Sequence, residues 1–222
     1  MSQLPLPFVH VPRYGLDDFM PSSSNAEALA AMERWPAWPD RVQLLLGPAG
    51  SGKSHLARIW AARADAALLT PAHLVGDLDA LATRNAVIED ADRAGIAEAD
   101  LFHYLNLVRE RGLSLLITAR ERPSAWSLVI ADLVSRLRLA PSVAIEAPDD
   151  ALMRAVLVKL FADRQLSVDA SVIDYLALRL DRSLDAAGWA VTALDGASLD
   201  RQRRITRPMA ADLLDAERLD AD

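Results

Sequence analysis

The chain reads as an α/β protein in which a parallel-sheet, phosphate-loop domain precedes a smaller domain built only of helices. Three observations predict this. An uncharged apolar run, Val42 to Leu46, breaks into Gly47-x-x-x-x-Gly52-Lys53-Ser54, and a helical pattern follows from His55 to Ala64. That is the strand–loop–helix context a phosphate-binding loop requires. Short apolar strands then alternate with helical segments up to residue 145, which means a parallel sheet with covered faces. Past Pro148 the pattern changes to helices alone.

Taken in order, residues 1–13 carry prolines at 5, 7 and 12, which exclude helix and central strand. The tail is nonetheless apolar at Leu4, Leu6, Phe8 and Val9. Two readings stand on the residues alone: it packs along its own domain, or it docks apolar anchors in another protein's groove. The nucleotide-binding domain spans 14–147. It opens on a Ser-rich turn, where Asn25 is placed to cap a helix from Ala26 to Arg34. Trp35-Pro36-Ala37-Trp38-Pro39 then makes a rigid connector to the loop strand. Beyond the loop helix, strands are expected at 66–69, 86–90, 113–118 and 143–145, with helices at 71–81, 98–111 and 127–137. The helical domain spans 148–222. Asp149 caps a helix reaching Arg164, and others cover 170–180, 183–197 and 207–218. Leu152, Val156, Leu157, Leu160 and Phe161 recur at helical spacing and mark a bundle face.

Composition narrows the function classes. The 222 residues suffice for one α/β core plus a small second domain, and 52% of them are apolar. Cysteine is absent, which excludes disulfide stapling and thiolate metal sites and fits a reducing cytoplasm. No signal peptide and no membrane-length apolar run are visible. The net charge of −7 disfavours strong duplex binding through phosphate neutralisation and makes protein the expected partner.

The chemistry is concentrated at strand ends. Glycines at 47, 50 and 52, with Pro48, Ala49 and Ser51 between them, let successive backbone N–H groups turn around phosphate oxygens. Lys53 can reach the β- and γ-phosphates, and the Ser54 hydroxyl can ligate Mg²⁺. His55 opens the helix and is expected to face the sheet. Glu89-Asp90, at the end of an apolar strand, supplies one carboxylate for the Mg²⁺ water shell and a second to orient attacking water. Glu in the first position moves that carboxylate by more than about an ångström, one methylene beyond the Asp of the usual pattern. Thr118 ends the fourth strand, where a hydroxyl can sense a γ-phosphate; a plain strand end is the other reading. Arg136 reads on the residues alone as a surface arginine. The four histidines lack metal-ligand spacing.

With these features in this order, the chain resembles the AAA+ module of the DnaA/Hda family. The resemblance runs from about Tyr14 to the C-terminus. It rests on Gly47–Ser54, Val87-Ile88-Glu89-Asp90, Leu116-Ile117-Thr118-Ala119-Arg120, the Ser135-Arg136 stretch and the lid segment Arg179-Leu180-Asp181-Arg182. It implies a P-loop AAA+ parallel-sheet sandwich with a small all-α lid, holding ADP or ATP with Mg²⁺. Ending at Asp222, the chain resembles the Hda branch rather than initiators, which carry a helix-turn-helix domain after the lid. By the same resemblance Gln3, Leu4, Leu6 and Phe8 become the motif that docks on the DNA polymerase III sliding clamp (β subunit). Arg136 becomes an arginine finger acting in trans on ATP held by DnaA. DNA would be met only through the clamp, in the cytoplasm of a bacterium at the nucleoid or replisome, and a homodimer is left open. An active ATPase that loads a helicase or remodels, or a DnaA-like initiation factor, is the competing reading. The family's second sensor, a lid arginine, falls here on Asp185, with Arg182 three residues earlier as its substitute. With Glu89 this implies weak or absent intrinsic ATPase activity.

Overall fold

The computed structural model describes residue 15, residues 18–93, residue 95 and residues 97–221, with side chains described through Glu217. The tail of 1–13, with Gln3, Leu4, Leu6 and Phe8, lies outside the described residues.

Five parallel strands form one sheet in the order β2-β3-β4-β1-β5. They are β1 (Val42–Leu46), β2 (Ala67–Leu69), β3 (Ala86–Ile88), β4 (Leu115–Ala119) and β5 (Ser142–Ala144). Their alternation sorts side chains onto two faces. Leu44, Leu46, Ile88, Leu115 and Ile117 join one core with α3 (Leu78–Leu81), α4 (Glu98–Glu110) and α5 (Ala131–Leu139). Leu45, Val87 and Leu116 face α1 (Ala26–Glu33) and α2 (Lys53–Ala64). There Trp60, 1% exposed, stacks on Trp38 at 4.9 Å and meets Trp35 edge-on at 6.0 Å. The rigid Trp-Pro connector thus closes the second core. A buried polar residue in β1, Gln43, is accommodated because its amide donates to Pro141 O at 3.1 Å.

The helical unit follows as α6 (Asp150–Asp163), α7 (Ala170–Arg179), α8 (Leu184–Arg201) and α9 (Arg207–Ala221). It has its own core, in which Leu157, Phe161, Leu176, Val191 and Leu194 are buried. Each of the first three helices starts on a side-chain cap. Asp149 accepts from Leu152 N–H at 2.7 Å, Asp169 from Ser171 N–H at 2.8 Å and Ser183 from Ala186 N–H at 3.4 Å.

Several boundaries differ from the periodicity, each for a local reason. The helix expected over 71–81 splits into a 3₁₀ turn, Pro71–His73, and the short α3, because Gly76 adopts φ 86° between them. The helix expected from 127 begins only at Ala131. The Glu98 carboxylate accepts the N–H groups of Val129 (2.9 Å) and Ile130 (2.8 Å), holding the approach out of the helix. Asn25 precedes α1 without capping it by its side chain. Its amide instead accepts from Ser22 N–H at 2.9 Å and donates to Met20 O at 3.0 Å, building the turn before the helix.

Candidate functional site

The phosphate loop leaves the carboxyl end of β1, a central strand, where α/β sheets place ligands. Two of its glycines are required by close approach. A Cβ on Gly47 would lie 2.4 Å from Ile145 O, and one on Gly50 would lie 1.9 Å from Ser183 Oγ. Gly50 is in the left-handed region at φ 66°, and its carbonyl accepts the Leu184 N–H at 2.7 Å. The first turn of α8 therefore rests directly on the loop.

Lys53 is 6% exposed and donates to Gly47 O at 2.7 Å and Pro48 O at 2.8 Å. Burial is the main force holding its pKa below the ordinary lysine value; Arg120 adds to this, while Asp90, Asp92 and Asp185 oppose it. Ser54 stands exposed at the start of α2. Ser51 is 2% exposed and its Oγ has no hydrogen-bond partner, an unsatisfied polar atom inside a turn shaped for anions.

The strand ends opposite are tied together. Asp90 adopts φ 52°, and its N–H donates to Thr118 Oγ1 at 2.9 Å. Thr118 is 1% exposed, so its hydroxyl serves first as a clamp between β3 and β4. The Asp90 carboxylate pairs with Arg93 at 3.2 Å. Glu89 has one carboxylate oxygen, Oε1, buried without a partner, and so has Asp92. The other Asp92 oxygen accepts the N–H groups of Arg120 (2.7 Å) and Glu121 (3.0 Å).

Between sheet domain and lid lies a cleft of about 610 Å³, within the usual range for small-molecule sites. Loop residues Ala49 to His55, with Asp90 and Arg120, form one wall. Leu152, Val156 and Leu160 of α6 and Asp185 and Trp189 of α8 form the other, and Asp18, Phe19 and Met20 close the end. Lys159, also in this lining, bridges Asp18 (2.9 Å) and Asp163 (2.6 Å). Its hydrogen bonds to Asp163 and then Asp18 raise its pKa. The expected sheet-facing position of His55 is corrected: its Nε2 lies 3.2 Å from Gly15 O and its ring meets Phe19 edge-on at 5.4 Å. Burial lowers its pKa. Leu56, Ala57 and Trp60 carry the sheet contact of α2 instead.

The loop, Asp90 and His55 thus converge on the cleft, whereas Glu89 and Thr118 stand behind its wall. Arg182 pairs with Asp150 and is not part of the lining. Arg136 stands outside the cleft on α5, paired with Asp132 at 3.0 Å, bonded to Asn106 Oδ1 and lying over the Phe102 ring at 4.9 Å. Sequence reasoning missed Asp18, Phe19, Met20 and Trp189. Only the spacing of Asp185, Trp189 and Thr192 on one helical face could have signalled the last.

These residues fit a nucleoside polyphosphate. The unsatisfied Ser51 hydroxyl, the close-approach glycines and the buried Lys53 suit the phosphates, and the apolar α6 wall with Trp189 suits a base. Among the described residues no three His, Asp or Glu side chains converge as a metal cage. A magnesium ion here would lean on Ser54, phosphate oxygens and water, as that ion prefers.

Comparison with known proteins agrees with this geometry. Residues 150–214 match the family model described as the Hda lid domain. Domain III of the Thermotoga maritima replication initiation protein DnaA superposes with a TM-score of 0.77 at 20% identity, over 92% of this chain and 96% of that one. AMPPCP-bound DnaA from Aquifex aeolicus gives 0.68 at 17% identity, over 83% and 66%. The Thermotoga maritima RuvB branch-migration motor gives 0.72 at 18% identity, over 92% and 72%. An uncharacterized protein of Haemophilus influenzae is 27% identical over 96% of this chain and 98% of its own length.

Proposed function

We propose that this chain, whose residues 150–214 match the Hda lid domain and whose fold is that of DnaA domain III, is an Hda-like AAA+ adaptor of replication control. It holds ADP or ATP, with Mg²⁺, in the cleft between sheet and lid. The tail of 1–13 docks on the DNA polymerase III sliding clamp, and Arg136 is offered to ATP bound by DnaA, whose hydrolysis lowers initiation. The phosphates and metal would supply the charge around which loop and lid order. Lys53 neutralises phosphate oxygens, the Ser51 hydroxyl and the loop N–H groups donate hydrogen bonds to them, and Trp189 with the α6 leucines excludes water from the base.

The observation that carries this reading is the Hda lid match on a phosphate-loop core. The position of Arg136 supports it: a finger for another subunit must stand away from its own phosphates, and Arg136 lies outside the cleft lining. The test is ATP turnover by DnaA with and without this protein and clamp-loaded DNA. Stimulation that needs both additions, and that Arg136→Ala abolishes while nucleotide affinity stays unchanged, is the expected result. Unchanged DnaA turnover, or full stimulation by the variant, refutes it.

A further inference from the structure

The lid carries a second charged surface remote from the cleft. The connector from the end of α8 to the start of α9 reads Leu199-Asp200-Arg201-Gln202-Arg203-Arg204-Ile205-Thr206-Arg207, four arginines against one aspartate. All four are exposed. Arg207 lies over the Tyr175 ring at 5.2 Å, and Arg179, at the end of α7, lies over the same ring at 4.1 Å. Elsewhere in the lid, Arg154 pairs with Asp174 and Arg182 with Asp150. Among the described residues none of these five arginines makes an ion pair. Along α9 the acids Asp212, Asp215 and Glu217 follow Arg207 at about 8, 12 and 15 Å of helical rise.

We infer that this surface binds the phosphodiester backbone of nucleic acid without sequence preference. An overall charge of −7 does not forbid it. The Debye length is about 8–10 Å at physiological salt, so Asp215 and Glu217 are largely screened, and the four connector arginines outnumber the nearer Asp200 and Asp212 and set the local field. Several further features fit phosphates rather than an acidic protein. Arg204 borders a hollow of about 290 Å³ whose other polar lining is Gln165, Ser167 and Ser198, with no carboxylate. The N-terminus of the fifteen-residue α9 opens beside Arg207, and backbone N–H groups there favour anions. Exposed apolar surface in the connector is confined to Leu199, whereas protein interfaces need an apolar centre. Guanidinium groups over an aromatic ring also suit stacking and phosphate contact together. This inference is independent of clamp docking and of the nucleotide cleft.

The experiment is anisotropy titration of the full chain on a labelled mixed-sequence DNA duplex of about 30 base pairs at roughly 50 mM salt, without clamp. Non-specific affinity should fall in the range of about 10⁻⁴–10⁻⁶ M and weaken with salt, with a log–log slope of roughly −3 to −4 for four phosphate contacts. Arg203→Glu with Arg204→Glu should weaken binding at least about tenfold, while nucleotide affinity at the cleft and melting temperature stay unchanged. Should that double variant fail to fold, Arg201→Ala with Arg207→Ala carries the test by lowering the slope by about two. No binding by the native chain, a slope that neither pair alters, or tighter binding to a polyglutamate peptide than to the duplex would overturn the inference. The last result would assign the surface to an acidic protein.

Discussion

Lys53 illustrates how one side chain is prepared by its surroundings. Burial lowers the pKa of the ammonium and the fields of Asp90, Asp92 and Asp185 oppose that shift, while two loop carbonyls at 2.7 and 2.8 Å aim the side chain along the loop. A phosphate arriving there replaces neutral carbonyl acceptors with charged ones, which bind more strongly. Lys53→Ala should therefore weaken ADP and ATP binding at least tenfold, a charge-assisted contact contributing roughly 1.5–3 kcal/mol. Titration calorimetry checks this, and unchanged affinity would remove the loop from the site. Thr118 teaches the opposite lesson. Its position at a strand end suggested a phosphate sensor, but its hydroxyl already accepts the Asp90 N–H at 2.9 Å. Thr118 holds the left-handed turn that presents Asp90 to the cleft.

At the level of elements, the lid is joined to the core through helix ends. Asp149 caps α6 and at the same time accepts the Ser23 hydroxyl at 2.9 Å, so one carboxylate fixes both helix and docking. Its hydrogen bonds to Leu152 N–H and then Ser23 hold its pKa below the usual carboxylate value, and Ser171 does the same for Asp169. The sign follows from linkage. A carboxylate with a folded pKa below its unfolded value contributes stability above the unfolded pKa, near 4, and loses it as pH falls through the folded value. Asp149→Ala should cost about 1 kcal/mol at neutral pH, as a lost helix cap. Paired thermal melts across the acid range should show the difference between native and variant chains shrinking below pH ~4. A difference that does not depend on pH would mean that the cap is not carried by the charged form.

At the scale of the molecule, the first turn of α8 sits on the phosphate loop and presents an acid, Asp185, to the cleft, at the position where the resemblance to the DnaA/Hda family leads one to expect a lid cation. Arg182, the nearest substitute in sequence, is engaged by Asp150. With Asp185 at the loop and the cleft-lining Arg164 bonded to Leu160 O and Thr192 Oγ1, transition-state charge is poorly met from the lid side. Intrinsic ATP turnover by the isolated protein should stay below about 1 s⁻¹. Faster steady-state hydrolysis would favour a remodelling ATPase over an adaptor. Among the described residues no helix is long and apolar enough to cross a membrane.

The sequence by itself determined the phosphate loop, the strand–helix alternation and the all-helical lid, because each is local. A loop motif is contiguous, the buried strands are short, uncharged and largely apolar runs, and caps such as Asp149 and Ser183 act within three residues of themselves. Even the later start of α5, at Ala131 rather than 127, had a distant cause, a carboxylate on α4 that captured the backbone ahead of it. Tertiary structure alone decided the rest. The cleft joins Asp18–Met20, Val156 and Trp189 across more than half the chain, and no spacing rule links them. It also decided which arginines are neutralised. Arg154 and Arg182 find carboxylates on neighbouring helices, whereas Arg201, Arg203, Arg204 and Arg207 find none among the described residues. Ion pairing depends on through-space distance, which only the packed lid supplies.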